Sequence, residues 1–331
     1  MWRAREAAGA RPGTGYEQGR SSHGGGRRRR NGHDTPGTSP SPPTDRVIGV
    51  LELLASRPAH PFSLSDITRA LGISKATCHA VTSSLAGADY LIRNPVDKTF
   101  TLGPAVVAAG RAAEQAYPAV HLAQAEVVTI ADELDLQATA AIRSEEHLVI
   151  VAHAGTGPDA EAVRIGRRIP LAPPFGGVFV AWADEAVIED WAARTDRVAP
   201  REPLLDSLAA IRARGYSVER LTPAGVRLRH ALADLGDDPL AEGLQPMVMA
   251  LLAELRQAEY LPGDLEGGGR HPVSAMSAPV FDAEGRTGMN LSVQPHREMT
   301  AREIDRAGRR LLKACARITR AVGGKPPTRR T

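Results

Sequence analysis

Polar side chains that donate hydrogen bonds recur at helical spacing between residues 74 and 83 of this 331-residue chain. The set comprises Ser74, Lys75, Thr77, His79 and Ser83. Hydroxyl, imidazole and ammonium groups can bind phosphate oxygens and base edges, and the small residues between them would let a flat partner approach. The chemistry predicted for this stretch is therefore recognition of double-stranded DNA. Arg93 and Lys98, further along the chain, are predicted to add phosphate contacts.

These side chains need a rigid support, and residues 63–87 predict two helices joined by a tight turn. Ser63 can cap the first helix and Gly72 ends it, while Ser74 can cap the second. The second helix has an apolar seam at i, i+3 and i+7, formed by Cys78, Val81 and Leu85. Because the polar residues lie opposite this seam, the helix can pack on a core and still face a partner.

A short β wing is predicted after the second helix. Strand-like runs at 90–92 and 99–102 flank a turn at 94–98. Upstream, Thr44 can cap a further helix that is closed off by Pro58 and completes a three-helix core. A winged helix-turn-helix places its second helix in the major groove, so we predict that residues 44–103 form a DNA-binding domain.

The charge of this domain is close to balance. Residues 45–104 contain six Lys or Arg and five Asp or Glu, whereas DNA-binding modules are usually clearly basic. We therefore expect specificity to depend on hydroxyl and imidazole side chains, on backbone N–H groups and on a second half-site. Two short amphipathic helices around a glycine also occur as plain core packing, and the wing is what favours DNA binding.

The composition is that of a globular protein with room for two domains. The chain is 42% hydrophobic and 24% charged, with 4% aromatic residues. Its cysteines, Cys78 and Cys315, have no paired spacing, so neither a disulfide nor a zinc site is predicted, and we expect a reducing compartment, the cytoplasm. No apolar run reaches the ~18 residues of a membrane span, so no membrane partner is expected.

The first 43 residues differ from the rest. Residues 1–44 hold eight Arg against three acidic residues, together with Gly- and Pro-rich runs. Such a composition cannot bury enough apolar surface to offset the entropy of ordering, so we predict disorder at 1–43 and 324–331. No apolar segment typical of a secretory signal is present there. Two interpretations remain open: a basic arm with non-specific phosphate contacts, or a translation start assigned too far upstream.

An Ala-rich stretch at 104–118 predicts a linker helix that leads to a second domain at 119–323. This domain mixes helices with strands, and the predicted class of the chain is α+β. Helices are predicted at 120–134, 177–193, 203–214 and 301–322, and strands at 138–142, 148–152, 162–165, 273–281 and 287–293. A turn at Gly285 predicts that the last two strands pair antiparallel.

Several segments match one known family in their order and separation. They are the helix-turn-helix at 63–85, TFTLG at 99–103, RIGRRIPL at 164–171, IRARGY at 211–216 and VSAMSAPVFD at 273–282. From about residue 46 to 321 the chain resembles the IclR family of bacterial transcriptional regulators. The resemblance implies an N-terminal winged helix and a C-terminal GAF-like effector domain, assembled as a dimer or tetramer.

The resemblance also implies an effector pocket. By family position its lining residues are Pro173, Phe175, Gly176, Ala275, Ser277, Ser292 and Gln294. Alternate residues on a strand share a face, which makes 275 with 277 and 292 with 294 coherent pairs. Small residues there could instead serve close helix packing. The implied effector is a small organic molecule, an acid or an aromatic catabolite. Candidate ligands for a carboxylate are Arg164, Arg167, Arg168 and His271.

The chain departs from the family pattern at both sites. Ala80 stands where the recognition helix usually carries Arg, and Thr82 stands where a core Leu is common. The stretch 172–178 departs from the commoner His-Ala-x-x-x-Gly-Lys-like run. These differences predict that both base readout and the ligand differ from those of other members.

The predicted function is a ligand-responsive DNA-binding regulator, with no catalytic residue, metal ligand or cofactor, and two alternatives remain. A dinucleotide-binding enzyme would use G-x-G-x-x-A at 155–160, but Pro158 follows where a helix must open. The chain also lacks a P-loop, H-E-x-x-H and G-x-S-x-G. The other alternative is a constitutive DNA-binding regulator whose second domain only oligomerises.

Overall fold

The computed structural model describes residues 41–157, 163–194, 201–227, 259–266 and 268–327. The chain divides into a unit of residues 1–45, of which only 41–45 are described, and a unit of residues 46–331. The segment predicted as a disordered tail therefore lies outside the described residues up to residue 40, and so do residues 328–331.

The predicted winged helix is confirmed. Its elements are α1 (Pro42–Ser56), α2 (Leu64–Leu71), α3 (Lys75–Gly87), β1 (Leu91–Arg93) and β2 (Phe100–Leu102), with the two strands antiparallel. A capping box joins Ser63 to Asp66 at the start of α2, and Gly72 ends this helix with a φ of 61°. The buried core consists of Val50, Leu54, Phe62, Ile67, Cys78, Leu85, Leu91 and Phe100.

The first helix begins at Pro42, so the prediction that Thr44 caps it is wrong. Proline fits the first turn of a helix because it lacks the N–H that this turn leaves unpaired. The hydroxyl of Thr44 instead lies 2.8 Å from that of Ser41. Val50 and Leu54 of this helix are buried and face the core.

Two helices follow the wing: α4 (Pro104–Ala116) and α5 (Pro118–Leu134). After them comes a sheet of seven strands, all paired antiparallel, in the order β5-β4-β3-β8-β7-β6 with β9 also paired to β7. The strands are β3 (Gln137–Ser144), β4 (His147–Ala154), β5 (Arg168–Pro170), β6 (Ser217–Arg220), β7 (Arg270–Phe281), β8 (Thr287–Gln294) and β9 (Arg297–Thr300). The remaining helices are α6 (Gly177–Val180), α7 (Glu185–Ala193), α8 (Arg201–Arg214) and α9 (Ala301–Ala321).

Helices cover the two faces of this sheet. On one face α5 and α9 pack on the strands around a core that includes Ile130, Leu291 and Leu311. On the other face α6, α7 and α8 form a second core with Leu148 of β4. Because side chains alternate along a strand, one set of residues serves the first core and the intervening set faces α6–α8.

Two predicted elements are misplaced. Residues 163–165 are not a strand; they lead into a turn at Gly166, whose φ is 87°, and β5 follows only at Arg168. The single helix predicted at 177–193 is two helices, because Asp184 adopts the extended backbone of an N-cap and starts α7 afresh.

Other differences concern two short strands and the C-terminal residues. The short strands β6 and β9 were not part of the predicted pattern. The prediction of disorder from residue 324 does not hold for Gly324 and Lys325, whose backbone N–H groups donate to the carbonyls of Thr319 and Asp282. The hairpin at Gly285 is confirmed, with β7 and β8 antiparallel and φ of 79° at the glycine.

Candidate DNA-binding surface and effector cavity

The start of α3 is held by two of the predicted DNA-contacting residues. The Oγ of Ser74 accepts a hydrogen bond from the backbone N–H of Thr77 at 3.1 Å, and the two hydroxyls lie 2.9 Å apart. Capping of this kind satisfies a helix N–H that would otherwise lack a partner. Ser74 and Thr77 are thus already used in shaping the helix, which leaves them fewer free hydrogen-bonding positions for DNA.

The solvent face of α3 carries the rest of the predicted set. Lys75, His79 and Ser83 are exposed, and the Oγ of Ser83 lies 3.5 Å from Nδ1 of His79. The unusual Thr82 is buried, and its hydroxyl donates to the carbonyl of Cys78 at 2.8 Å, which explains how a polar residue occupies this core position. The exposed face is flat and polar, as contact with a groove requires.

The wing places the last two predicted phosphate contacts beside an acid. Arg93 ends β1 and is exposed, and Lys98 lies in the turn with a φ of 61°. Hydrogen bonds from the hydroxyl and backbone N–H of Thr99 hold the pKa of Asp97 below its usual range. Because the ionised Asp97 precedes Lys98, the wing tip gains little net positive charge.

A partly open cavity of about 260 Å³ lies between the sheet and α6–α8. It brings together six of the residues predicted for the effector pocket, namely Phe175, Gly176, Ala275, Ser277, Ser292 and Gln294. Pro173 is not among the lining residues, and its neighbour Pro174 takes that place. The strand residues meet because Ser277 of β7 is paired in register with Ser292 of β8.

The floor of the cavity is a polar stripe across three strands. The hydroxyls of Ser277 and Ser292 lie 2.7 Å apart, and Nδ2 of Asn290 donates to Oγ of Ser292 at 3.0 Å. Nε2 of Gln294 donates to Oγ1 of Thr139, also at 3.0 Å. Within the described part of the chain, Oδ1 of Asn290 and Oε1 of Gln294 are buried without a hydrogen-bond partner.

The opposite wall is apolar and aromatic. Phe175 and Trp191 both line it, and Nε1 of Trp191 donates to the carbonyl of Phe175 at 2.9 Å. Gly176 has a φ of 83°, and a Cβ added there would collide with the side chain of Leu171. Glycine at this position therefore allows the turn before α6 to close over the cavity.

Charged residues at one end of the cavity were missed by sequence reasoning. Glu219 and Arg220 of β6 and the nearby Glu259 all line it. Glu259 is paired with the Arg214 guanidinium and accepts from the backbone N–H of Val218 at 2.7 Å. The only sequence signal was the alternation Ser-Val-Glu-Arg at 217–220, which is too short to indicate a strand by itself.

Glu219 differs from these neighbours because no hydrogen bond or ion pair reaches its carboxyl from the described residues, and burial raises the pKa of this carboxyl to about 7. Arg220 forms an ion pair with Asp264, and its guanidinium lies 3.9 Å from the ring centroid of Tyr260. The Arg220 guanidinium is thus engaged by Asp264 and Tyr260 rather than by the Glu219 carboxyl.

The four candidate carboxylate ligands are dispersed. Arg167 lines the cavity, together with His296. Arg164 donates to the backbone carbonyl of Ser56, and Arg168 is exposed on β5. His271 lies with its ring edge against Tyr260, 5.8 Å between centroids. The structure does not gather these residues into one anion-binding cluster.

Other kinds of site find no support among the described residues. They contain no group of three or more His, Cys, Asp or Glu placed to hold a metal ion. Where the structure is described, none of its helices is both long and apolar enough to span a bilayer. Gly155 and Gly157 of the dinucleotide-like motif follow β4 in a turn, and the rest of that motif from Pro158 onward is not described.

A winged helix followed by a domain with a partly polar cavity defines a class of protein: a DNA-binding regulator with an effector domain. The sequence model of the IclR helix-turn-helix domain matches residues 43–95. The HTH-type transcriptional regulator XynR of Escherichia coli (strain K12) is 26% identical over 184 residues, which are 53% of this chain and 73% of that protein.

Solved structures agree with the fold over most of the chain. An IclR transcriptional regulator from Alicyclobacillus acidocaldarius has a TM-score of 0.58 at 20% identity, covering 86% of this chain and 99% of that one. An IclR homologue from Microbacterium hydrocarbonoxydans, solved in complex with 4-hydroxybenzoate, has a TM-score of 0.55 at 17% identity and covers 85% and 98%. The chain therefore carries an IclR-type helix-turn-helix domain at residues 43–95, and its fold is similar to that of solved IclR regulators over most of its length.

Proposed function

We propose that this regulator binds its operator through α3 and the wing, and that a small organic molecule in the effector cavity controls the binding. The observation that carries this proposal is the cavity of about 260 Å³ that lies between the sheet and α6–α8. Pockets that combine apolar walls with a few placed polar groups are typical of small-molecule sites. The Microbacterium homologue, solved with 4-hydroxybenzoate, supports a small organic effector.

The two sites must be coupled if a ligand is to alter DNA binding. A ligand shifts an equilibrium only by its different affinity for two states of the protein. The cavity floor belongs to β3 and β8, and α5 packs on the other face of these strands and follows directly after α4. A change in the floor therefore has a continuous path to the helix that leads into the winged helix.

We propose that the working form is a homo-oligomer, a dimer or a tetramer. None of the residues of α4 is buried, although this helix carries Val106 and Val107, and Val107 is 61% exposed. An exposed apolar helix next to a winged helix suits pairing with a second copy. A dimer would also supply the second half-site that the nearly neutral winged helix needs for affinity.

Further elements of the proposal follow from the regulator role. The protein would act in the cytoplasm on chromosomal DNA and would catalyse no reaction. DNA contacts are assigned to Ser74, Lys75, Thr77, His79, Ser83, Arg93 and Lys98. The seven residues predicted for the pocket are proposed to bind the effector. Pro173 does so indirectly, by holding its neighbour Pro174, which lines the cavity. The second candidate, a constitutive DNA binder, is favoured only if no ligand is found.

A screen of small catabolic metabolites by thermal unfolding tests this proposal. A ligand present at 100 times its Kd stabilises the native state by about 2.7 kcal/mol, which shifts the Tm of a domain of this size by several degrees. Each hit is then tested for its effect on operator affinity by fluorescence anisotropy. A hit that changes affinity supports the proposal. A broad library without any stabilising compound supports the constitutive alternative.

A further inference from the structure

The effector cavity contains one carboxyl, that of Glu219, for which the described residues provide no partner. Glu219 lies on β6, at a shift in register between β6 and β7, and pairs across a single bridge with Glu259. Its side chain lines the cavity, and among the described residues no donor reaches it. An isolated carboxylate shielded from water is costly unless a partner compensates it.

The nearby cations are already engaged. Arg214 is paired with Glu259, and Arg220 is paired with Asp264 and stacked on Tyr260. The floor offers no compensation either, because its partnerless atoms, Oδ1 of Asn290 and Oε1 of Gln294, are acceptors like the carboxylate. The partnerless groups around this cavity are therefore hydrogen-bond acceptors, and a ligand that carries hydrogen-bond donors and a positive charge would complement them.

The shape and walls of the cavity restrict the ligand further. Phe175 and Trp191 provide aromatic surface on the wall opposite the polar floor. Aromatic faces attract both rings and cations. Arg167 and His296 also line the cavity and are the groups on which an acidic ligand would depend.

We propose, as a consequence that rests on the proposed function, that the effector is a ring-sized arylalkylamine, with its amine on a carbon attached to the ring, whose protonated nitrogen binds the carboxylate of Glu219. The ring packs against Phe175 and Trp191, and the ammonium group provides the donors that Glu219 lacks. This assignment excludes an acid, one of the two effector classes that the family resemblance implies, and it depends on a residue that the resemblance did not point to.

Binding of such an amine releases protons. At pH 7 about half of the Glu219 carboxyls are protonated, because burial raises the pKa to about 7. An ammonium group beside the carboxyl favours its ionised form and lowers this pKa. About half a proton per site should therefore leave Glu219 when the ligand binds at pH 7.

The test uses three compounds that differ only in one group: 4-hydroxybenzylamine, 4-hydroxybenzyl alcohol and 4-hydroxybenzoate. Isothermal titration calorimetry on the full chain at pH 7, in two buffers of different ionisation enthalpy, gives both the affinity and the proton release. We expect the amine to bind most tightly, to lose at least tenfold in affinity in Glu219→Gln, and to release no proton there. Glu219→Asp, which keeps the charge, should retain the preference for the amine.

Glu145→Gln, which changes an exposed acid in the turn after β3, is the matched control and should bind the amine like the wild type. Thermal unfolding of Glu219→Gln shows whether this variant is folded. Tighter binding of 4-hydroxybenzoate than of the amine overturns the inference but leaves the proposed function intact. Equal binding of the amine by wild type and Glu219→Gln overturns it too. Failure of all three compounds at 10 mM also rejects it, and the broader library decides separately on the proposed function.

Discussion

The partnerless Glu219 makes a stability prediction that needs no ligand. Burial raises the pKa of its carboxyl from 4.5 to about 7, so the folded state binds its proton more tightly than the unfolded chain does. At low pH both states are protonated and the residue costs nothing. As the pH rises from about 4.5 through 7, the unfolded state ionises first, and the folded state loses stability relative to it.

The size of the effect follows from the shift. A shift of 2.5 pKa units corresponds to about 3 kcal/mol once both states are ionised, because each unit is worth about 1.4 kcal/mol. Glu219→Gln removes the charge and keeps the shape of the side chain. We expect this variant to exceed the wild type in free energy of unfolding by about 3 kcal/mol at pH 8 and by about 1 kcal/mol at pH 5.

Denaturant unfolding followed by tryptophan fluorescence measures this difference, since Trp182 and Trp191 both belong to the effector domain. Titrating groups far from Glu219 contribute equally to both proteins and cancel in the comparison. Glu259, which faces Glu219 across a β-bridge, does not, because the Glu219 charge helps to raise the Glu259 pKa, and the difference therefore reports on the two carboxyls together. Glu145→Gln, at an exposed position, should show no pH-dependent difference from the wild type. A Glu219→Gln difference that is the same at pH 5 and pH 8 would refute the conclusion that this half-buried carboxyl lacks a partner.

Four other substitutions test three separate parts of the structure. Lys75→Ala should weaken binding to every DNA and reduce the slope of log K against log salt by about 1, measured by anisotropy at several salt concentrations. His79→Ala should instead alter sequence preference. If His79→Ala also weakens binding to all DNAs equally, α3 is not the helix that reads the sequence. Ser63→Ala breaks the capping box of α2 and should cost about 1 kcal/mol in denaturant unfolding. Gly176→Ala should destabilise the effector domain in the same assay, because a methyl group there collides with Leu171, and an unchanged stability would disprove the tight turn.

Local signals explain why the winged helix was predictable. The Ser63 and Ser74 caps, the left-handed Gly72 and the seam from Cys78 to Leu85 depend on residues close in sequence. Each can be recognised from a short window without knowing the rest of the fold. The hairpin at Gly285 was predictable for the same reason.

The misplaced elements depend on distant contacts. The four-residue strand β6 exists because it pairs with β7, about 55 residues further on, and its own sequence has no strong pattern. The apolar run at 177–193 reads as one helix, since no glycine or proline marks the break before Asp184. The family resemblance predicted six of the cavity residues, which lie on strands and turns. Glu219 could be identified only once the pairing of β6 was known.

Sequence-specific DNA binding by the winged helix is tested by fluorescence anisotropy of the full chain. The protein is titrated onto DNA from upstream of its own gene and onto a scrambled duplex, at near-physiological salt. If the winged helix reads an operator, the protein should prefer its own DNA by about a hundredfold or more. The contrary result is equal and weak binding to both duplexes that is lost when residues 1–43 are removed. It would show that only the Arg-rich segment contacts DNA and that the winged helix does not read an operator.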